Sequence, residues 1–198
     1  MEKKFYYKDL EFAVFDSVYD PSDDSLLLAG SVKEKDAKGK AFLDLGCGSG
    51  IQGINALALG AKKVLFADID EQALDNAKAN AKKLGFEKCS AFKKSNLFFA
   101  LKERKFDLIV FNPPYAESTE KKWLDVDGGK KGRELLDRFL KQLKNRLKKN
   151  GTVFFVQSSL NGKARTKRLL KEQGFAFEIV ARKRLFFEEL IVFRAWAL

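Results

Sequence analysis

Two short stretches carry side chains whose types and spacing could do chemistry: FNPPY at 111–115 and LDLGCGSG at 43–50. In the first, each X-Pro pair pushes the preceding residue out of the helical region, so Asn112 and Pro113 are expected to be extended. Neither Pro113 nor Pro114 carries an N–H. The turn therefore offers acceptors, namely the Asn112 side-chain oxygen and a nearby carbonyl, that of Pro113, while Tyr115 supplies a flat face. Such a site fits a planar NH₂ group, taking its two hydrogens in two hydrogen bonds while the aromatic ring packs on its plane. Those bonds would turn the nitrogen lone pair towards an incoming methyl group, which is catalysis by positioning and electrostatics. Taken in isolation, NPPY is also compatible with an ordinary turn.

In the second stretch, Gly46, Gly48 and Gly50 let the backbone turn sharply and approach a ligand closely. Gly48, Gly50 and Gly53 satisfy a literal G-x-G-x-x-G, but no Walker lysine follows, which disfavours a P-loop. The acids discriminate further. Asp44 lies two residues before the first glycine, where it would repel a pyrophosphate and welcome a cation. Asp68 ends the next apolar run, where an acid accepts from ribose hydroxyls. S-adenosylmethionine has a ribose, an adenine, an ammonium and a sulfonium but no phosphate, and suits this arrangement better than a dinucleotide. A turn-capping role for Asp44 stays open, and Asp70 reads as a helix N-cap.

Elements must bring these stretches together. AFLDL (41–45), KVLFADI (63–69), KCSAFKK (88–94), FDLIVF (106–111) and TVFFVQ (152–157) each read as a strand, and their unbroken hydrophobicity suggests burial on both faces. EQALDNAKANAKKLG (71–85) places Leu74, Ala77, Ala81 and Leu84 on one stripe, closed by Gly85. RELLDRFLKQLKNRLKKNG (133–151) predicts a second helix running to Asn150-Gly151. The tail from Gly174 holds two β-like runs, expected to pair antiparallel at a sheet edge. The pattern is an α/β doubly wound sheet. NPPY then ends the fourth core strand, on the same side as the glycine loop, where ligands bind in such sheets. Residues 1–198 read as one domain, with an α/β core from 41 and an N-terminal extension over 1–40. There DPSDDSLLLAGSVKEK predicts a helix capped by Asp20, Ser22 or Asp23.

Composition removes other chemistries. The 198 residues include no histidine, which excludes Ser-His-Asp and Cys-His catalysis and His-ligated zinc. Cys47 and Cys89 match no metal or redox spacing and are expected to be reduced. No apolar stretch approaches the roughly 18 residues that span a membrane, and MEKKFYYKDLEF lacks a signal-peptide core, so a cytoplasmic protein is expected. The net charge of +11 points towards phosphate-bearing partners, RNA contact among them.

LDLGCGSG followed by NPPY resembles the class I S-adenosylmethionine-dependent methyltransferases that modify planar amino groups. VYDPSDDSLLL (18–28) and DGGKKGRELLDRFL (127–140) resemble, more narrowly, the HemK-like release-factor glutamine methyltransferases, in their short archaeal and eukaryotic branch. The resemblance runs from about residue 12 to the C-terminus and is weakest after 160. It implies a Rossmann-like, seven-stranded, mostly parallel sheet with the last strand antiparallel. It maps the cofactor residues to Ser25, Asp44, Gly46, Asp68, Asn96, Leu97 and Asn112. Where many relatives carry an acid at the adenine, this chain has Asn96, whose amide can still accept from the adenine amine. The substrate implied is the glutamine of a Gly-Gly-Gln motif in a class I translation release factor. A small zinc-containing activator protein is implied beside the third strand, where KCSAFKK and LFFAL would form the edge, although Phe98 and Phe99 also read as core.

Between Lys130 and Lys149 lie nine Lys or Arg against two acids, and the expectation is a solvated face for Lys141, Lys144, Lys148 and Lys149. Arg133, following GGKKG, is expected at the substrate mouth, holding the target loop. Two other functions fit the motifs: methylation of an adenine N6 or guanine N2 amine, and a catalytically silent binding module. No target-recognition domain is evident for a base that would have to be flipped from a duplex.

Overall fold

The computed structural model describes residues 3–115 and 132–198. An N-terminal hairpin of β1 (Lys3–Tyr7) and β2 (Leu10–Val14) precedes α1 (Asp23–Ser31) and the short α2 (Glu34–Ala37). Then come β3 (Ala41–Leu45), α3 (Ile51–Ala58), β4 (Lys63–Asp68), α4 (Glu71–Lys83), β5 (Ser90–Lys94) and β6 (Phe106–Phe111). The chain closes with α5 (Glu134–Gln142), β7 (Leu147–Ser158), α6 (Lys163–Glu172), β8 (Phe175–Arg184) and β9 (Glu189–Ala197).

The second sheet has seven strands in the order β5-β4-β3-β6-β7-β9-β8. Neighbours pair in parallel from β5 to β7, and β9 runs antiparallel between β7 and β8. This is the doubly wound sheet with an antiparallel final strand that the sequence implies. Alternation along β3 shows why its apolar run is unbroken. Phe42 packs with Ile54 and Ala77 on the side of α1 to α4, and Leu43 packs with Phe139 and Leu170 on the side of α5 and α6. Period-two geometry therefore points Asp44 to the same side as Phe42, beneath the start of α3.

The helix expected over 133–151 ends early. α5 stops at Gln142, a 3₁₀ turn covers Leu143–Asn145, and β7 begins at Leu147. The leucine spacing serves two elements: Leu136, Phe139, Leu140 and Leu143 are buried from the helix and turn, whereas Leu147 is a strand residue opposite Phe106. Asn150 at φ 63° and a register shift between Phe106 and Leu108 mark a bulge where the lysines leave the sheet. Pairing in the sheet overrides helix propensity here. Lys141, Lys144, Lys148 and Lys149 are exposed, as expected.

The N-terminal segment is more ordered than the sequence suggests. The β1–β2 turn uses Lys8 at φ 53° in place of a glycine or asparagine. Two fully buried amides on α4 anchor the end of β2 and the chain leaving it. Asn80 accepts from the Ala13 N–H at 2.8 Å and donates to the Ala13 and Ser49 carbonyls. Asn76 accepts from the Phe15 N–H at 3.1 Å and donates to the Ala13 carbonyl. α1 has Ser22 at its N-cap position without a side-chain cap bond, and Asp23 and Asp24 in its first turn suit the helix dipole.

Gly53 is the tightest point between α3 and the sheet. A Cβ there would stand 2.3 and 2.7 Å from the Phe66 ring and 2.9 Å from Val64. Gly53→Ala should therefore lose about 1–3 kcal/mol to overpacking. Urea unfolding should show a lower midpoint at unchanged slope; an unchanged midpoint would refute the close packing.

Candidate active site

A cavity of about 370 Å³ opens at the carboxyl ends of β3, β4 and β6. Its walls include Gly46 and Gly48 from the loop after β3, Asp68 at the end of β4, Asn112 to Tyr115 after β6, and Asp24 and Ser25 from α1. The two motifs do converge.

The loop after β3 reverses through left-handed backbone. Gly46 sits at φ 63°, and a Cβ on it would meet the Phe111 ring at 3.2 Å. Gly50 sits at φ 83°, and a Cβ on it would meet the Ala77 main chain at 3.2 Å. Asp68 accepts from the Gly48 N–H at 3.1 Å and from the Asp70 N–H at 3.0 Å. One carboxylate thus braces the loop and faces the cavity. Burial raises its pKa, and the N–H groups of Asp70, Gly48 and Ile69 hold it down. Asp70 accepts from the Gln72 N–H at 3.0 Å and is the N-cap of α4.

Asp44 lies one layer deeper and does not line the cavity. Its Oδ2 accepts from the Gly53 N–H at 2.8 Å, satisfying a donor of the first turn of α3. Its Oδ1 is buried with no partner among the described residues. Burial, first, and the nearby negative charge of Asp68 push its carboxyl up to about 8, against the pull of the Gly53 N–H.

The NPPY turn is held by α1. Tyr115 donates its hydroxyl to Asp24 Oδ2 at 2.9 Å, and Tyr19 donates to the same carboxylate at 3.2 Å. Ser25 donates to Asp24 Oδ1 at 3.1 Å, and Asn112 Nδ2 donates to Ser25 Oγ at 3.3 Å. With its amino group tied off, Asn112 presents Oδ1, which is buried and unpartnered among the described residues. On the far side, Asn161 Nδ2 donates to the Tyr115 carbonyl at 3.0 Å. Pro113 is buried, and Pro114 lines the cavity. Desolvation, and then the Asp24 charge, raise the pKa of the Tyr115 hydroxyl, so it remains a donor.

Asn96 and Leu97 lie on the wall, Leu97 buried and Asn96 exposed, with Asn96 Oδ1 accepting from Arg138 Nη2 at 3.1 Å. Arg133 is not at the mouth. It is buried, donates to the carbonyls of Asn161 and Gly162 and to Thr166 Oγ1, and pairs with Asp137 at 2.8 Å. Its flexible stem and five donors suit the carbonyls at the start of α6, so it brackets that corner instead of reaching a ligand. The preceding DGGKK, 127–131, lies outside the described residues.

Sequence reasoning missed Asp24, Tyr19, Asn161 and Gln52. Asp24 and Tyr19 stand within the VYDPSDDS stretch, where Asp24 reads as one more first-turn acid. Gln52 donates to the Ser25 carbonyl at 2.9 Å, and its Oε1 is a further buried acceptor without a partner among the described residues.

The wall is acidic in a basic protein. Asp24, Asp68 and Asp70 face the cavity against Arg138, whereas the chain as a whole carries +11. A phosphate would be repelled there and a cationic, phosphate-free ligand attracted. Comparison with known proteins agrees with that chemistry: residues 14–187 match the methyltransferase small domain. The chain belongs to this methyltransferase family. It is 45% identical over 187 residues to a Methanocaldococcus jannaschii protein provisionally named a protein N5-glutamine methyltransferase, covering 91% of this chain and 92% of that one. It is 31% identical to the release factor glutamine methyltransferase of Borreliella burgdorferi, with 76% of this chain and 57% of the relative covered. This chain thus spans somewhat over half of that longer relative. The fold is shared with the E. cuniculi Mtq2–Trm112 complex, described as methylating the eRF1 termination factor, at TM-score 0.70 and 21% identity over 92% of this chain and 99% of that one.

As a methyltransferase of this family, the protein uses S-adenosylmethionine. The cavity fits that cofactor: acids and unpartnered carbonyl oxygens for its ammonium, sulfonium and hydroxyls, and Ile69 and Leu97 for an apolar ring.

The buried acid gives a pH signature. A carboxyl raised from 3.8 to about 8 on folding favours the protonated form. Its contribution to ligand-free stability is therefore complete below about pH 4 and lost as pH rises through about 8. Asp44→Asn, which can still accept from Gly53, should flatten the fall in stability over that window. Unfolding midpoints at stepped pH would show it, and an equally steep fall in the variant would contradict the assignment.

Proposed function

We propose that the protein methylates the side-chain amide nitrogen of a glutamine, the one in the Gly-Gly-Gln motif of a class I translation release factor. The observation that carries this reading is Asn112: its Nδ2 is committed to Ser25, and its Oδ1 is a buried acceptor without a partner among the described residues. A primary amide brings two N–H donors, one for Asn112 Oδ1 and one for the Pro113 carbonyl. Tyr115, fixed by Asp24, covers the plane of the amide. These contacts hold the nitrogen lone pair towards the methyl donor and away from its own carbonyl. When bound, S-adenosylmethionine supplies an electrophilic methyl group. The alkylated nitrogen is acidic enough to release its proton to water, so a chain without histidine loses nothing. The names of the two relatives support a glutamine substrate.

For the cofactor, Asp68 is assigned to the ribose hydroxyls, Asn96 and Leu97 to the adenine, and the backbone of Gly46, Gly48 and Gly50 to the close approach of the chain. Ser25 lies at the junction of cofactor and Asn112. Asp44 acts from below by accepting from the Gly53 N–H, which fixes the start of α3 beneath the glycine loop. Arg133 is reassigned from substrate holding to fixing the corner that carries Asn161.

A small zinc-containing activator fits the free edge of β5. Beside it Phe98 is fully buried, whereas Phe99 is 88% exposed, an apolar group suited to a partner. The Trm112 subunit in the related complex supports this reading. Among the described residues, no helix is long and apolar enough to cross a membrane.

Two variants separate the roles. Asn112→Ala should lower kcat roughly a hundredfold or more while leaving cofactor affinity within a few-fold, because a contact of the transition state is removed. Asp68→Ala should weaken S-adenosylmethionine binding first. A fully active Asn112→Ala enzyme would overturn the proposal.

A further inference from the structure

The turn between β8 and β9 carries Phe186 and Phe187, which are 91% and 84% exposed. Their rings meet edge to face at 4.6 Å, so the pair forms one apolar knob. β8 runs parallel to β7, since both are antiparallel to β9, and so Arg184 ends on the same sheet edge as Ser158. That is also the edge on which β6 delivers Asn112. Local contacts bring the turn to the cavity rim. Glu189 N–H donates to Ser159 Oγ at 3.0 Å, Lys183 pairs with Asp23 at 2.6 Å next to Asp24, and Leu185 packs in the same cluster as Tyr115. Glu188 is near enough that its charge raises the Tyr115 hydroxyl pKa. Leu160, 72% exposed, follows Ser159 just beyond the end of β7.

We propose that the Phe186–Phe187 knob is a docking surface for the folded protein substrate, anchoring it beside the cavity while its glutamine loop enters. This rests on the glutamine reading above and adds the means by which an intact protein is preferred to a short peptide. Charge favours a protein occupant over RNA. Stacking surfaces for single strands interleave aromatics with cations that neutralise phosphate. Here Arg182 pairs with Glu189 at 2.6 Å and Lys183 with Asp23, and the two other charges flanking the rings, Arg184 and Glu188, are of opposite sign, so the turn carries no cluster of cations. Exposed aromatic anchors with polar surroundings are what protein interfaces use.

The test is the double variant Phe186→Ser/Phe187→Ser, whose fold is checked by an unchanged unfolding midpoint. It is assayed in the presence of the activator candidate with two substrates: an intact cell-matched class I release factor, and a short peptide carrying Gly-Gly-Gln. The expected result is a KM for the intact protein raised about tenfold or more, as for loss of an aromatic anchor, with kcat and the peptide kcat/KM unchanged. A KM equal to wild type would overturn the docking surface while leaving the substrate reading intact. An equal loss on the peptide would place the knob in the site itself and also overturn it. Wild-type enzyme that labels neither substrate would overturn the glutamine reading, and docking with it; label in RNA that the double variant loses would make RNA the occupant.

Discussion

A buried carbonyl oxygen without a donor costs about 1–3 kcal/mol, and a side chain free to turn would recover that by finding a partner. Asn112 is not free to turn. Its amino group donates to Ser25, Ser25 donates to Asp24, and Asp24 also receives Tyr115 and Tyr19. Reversing the amide would face an N–H towards the cavity and give up the Ser25 bond. The chain of donors, all running towards one buried carboxylate, therefore sets the polarity of the site as an acceptor for an NH₂ group.

The fold supplies the anchors for that chain. Parallel strands deliver the glycine loop and the NPPY turn to the same edge, and α1 is folded back over both. α1 is in turn held by Gln52 and Asn55 of α3, which donate to the carbonyls of Ser25 and Ala29. Asn76 and Asn80 of α4 fix the segment leading into it. Two layers of acid complete the site: Asp68, half-buried at the wall, and Asp44 below it, kept from water. The wall acids Asp24, Asp68 and Asp70 favour a cation in a protein whose net charge is +11.

Much of this was legible in the chain because buried parallel strands leave an unbroken apolar signature. AFLDL and FDLIVF match β3 and β6 residue for residue. The α4 stripe and its closing Gly85 were equally plain. The overlong helix from Arg133 shows the limit, since Leu143 and Leu147 keep helical spacing while belonging to a turn and a strand. The β1–β2 hairpin was hidden because its turn is Lys8-Asp9, without the usual glycine or asparagine. Asp24 was hidden for a different reason. An acid in a first helical turn has a sufficient local explanation, and only the tertiary fold brings Tyr115, 91 positions away, to its carboxylate. Arg133 drew attention by following GGKKG, yet burial and four fixed partners give it a bracing part.

Whether this acceptor site takes a glutamine amide is decided by transferring labelled methyl from S-adenosylmethionine. An intact class I release factor, its Gln→Ala variant in the Gly-Gly-Gln motif, and bulk RNA are offered in parallel, each with and without the zinc-containing partner. Label is expected on the wild-type release factor, none on the Gln→Ala variant and none on RNA. Label on RNA alone, or label that survives the Gln→Ala change, would contradict a glutamine substrate.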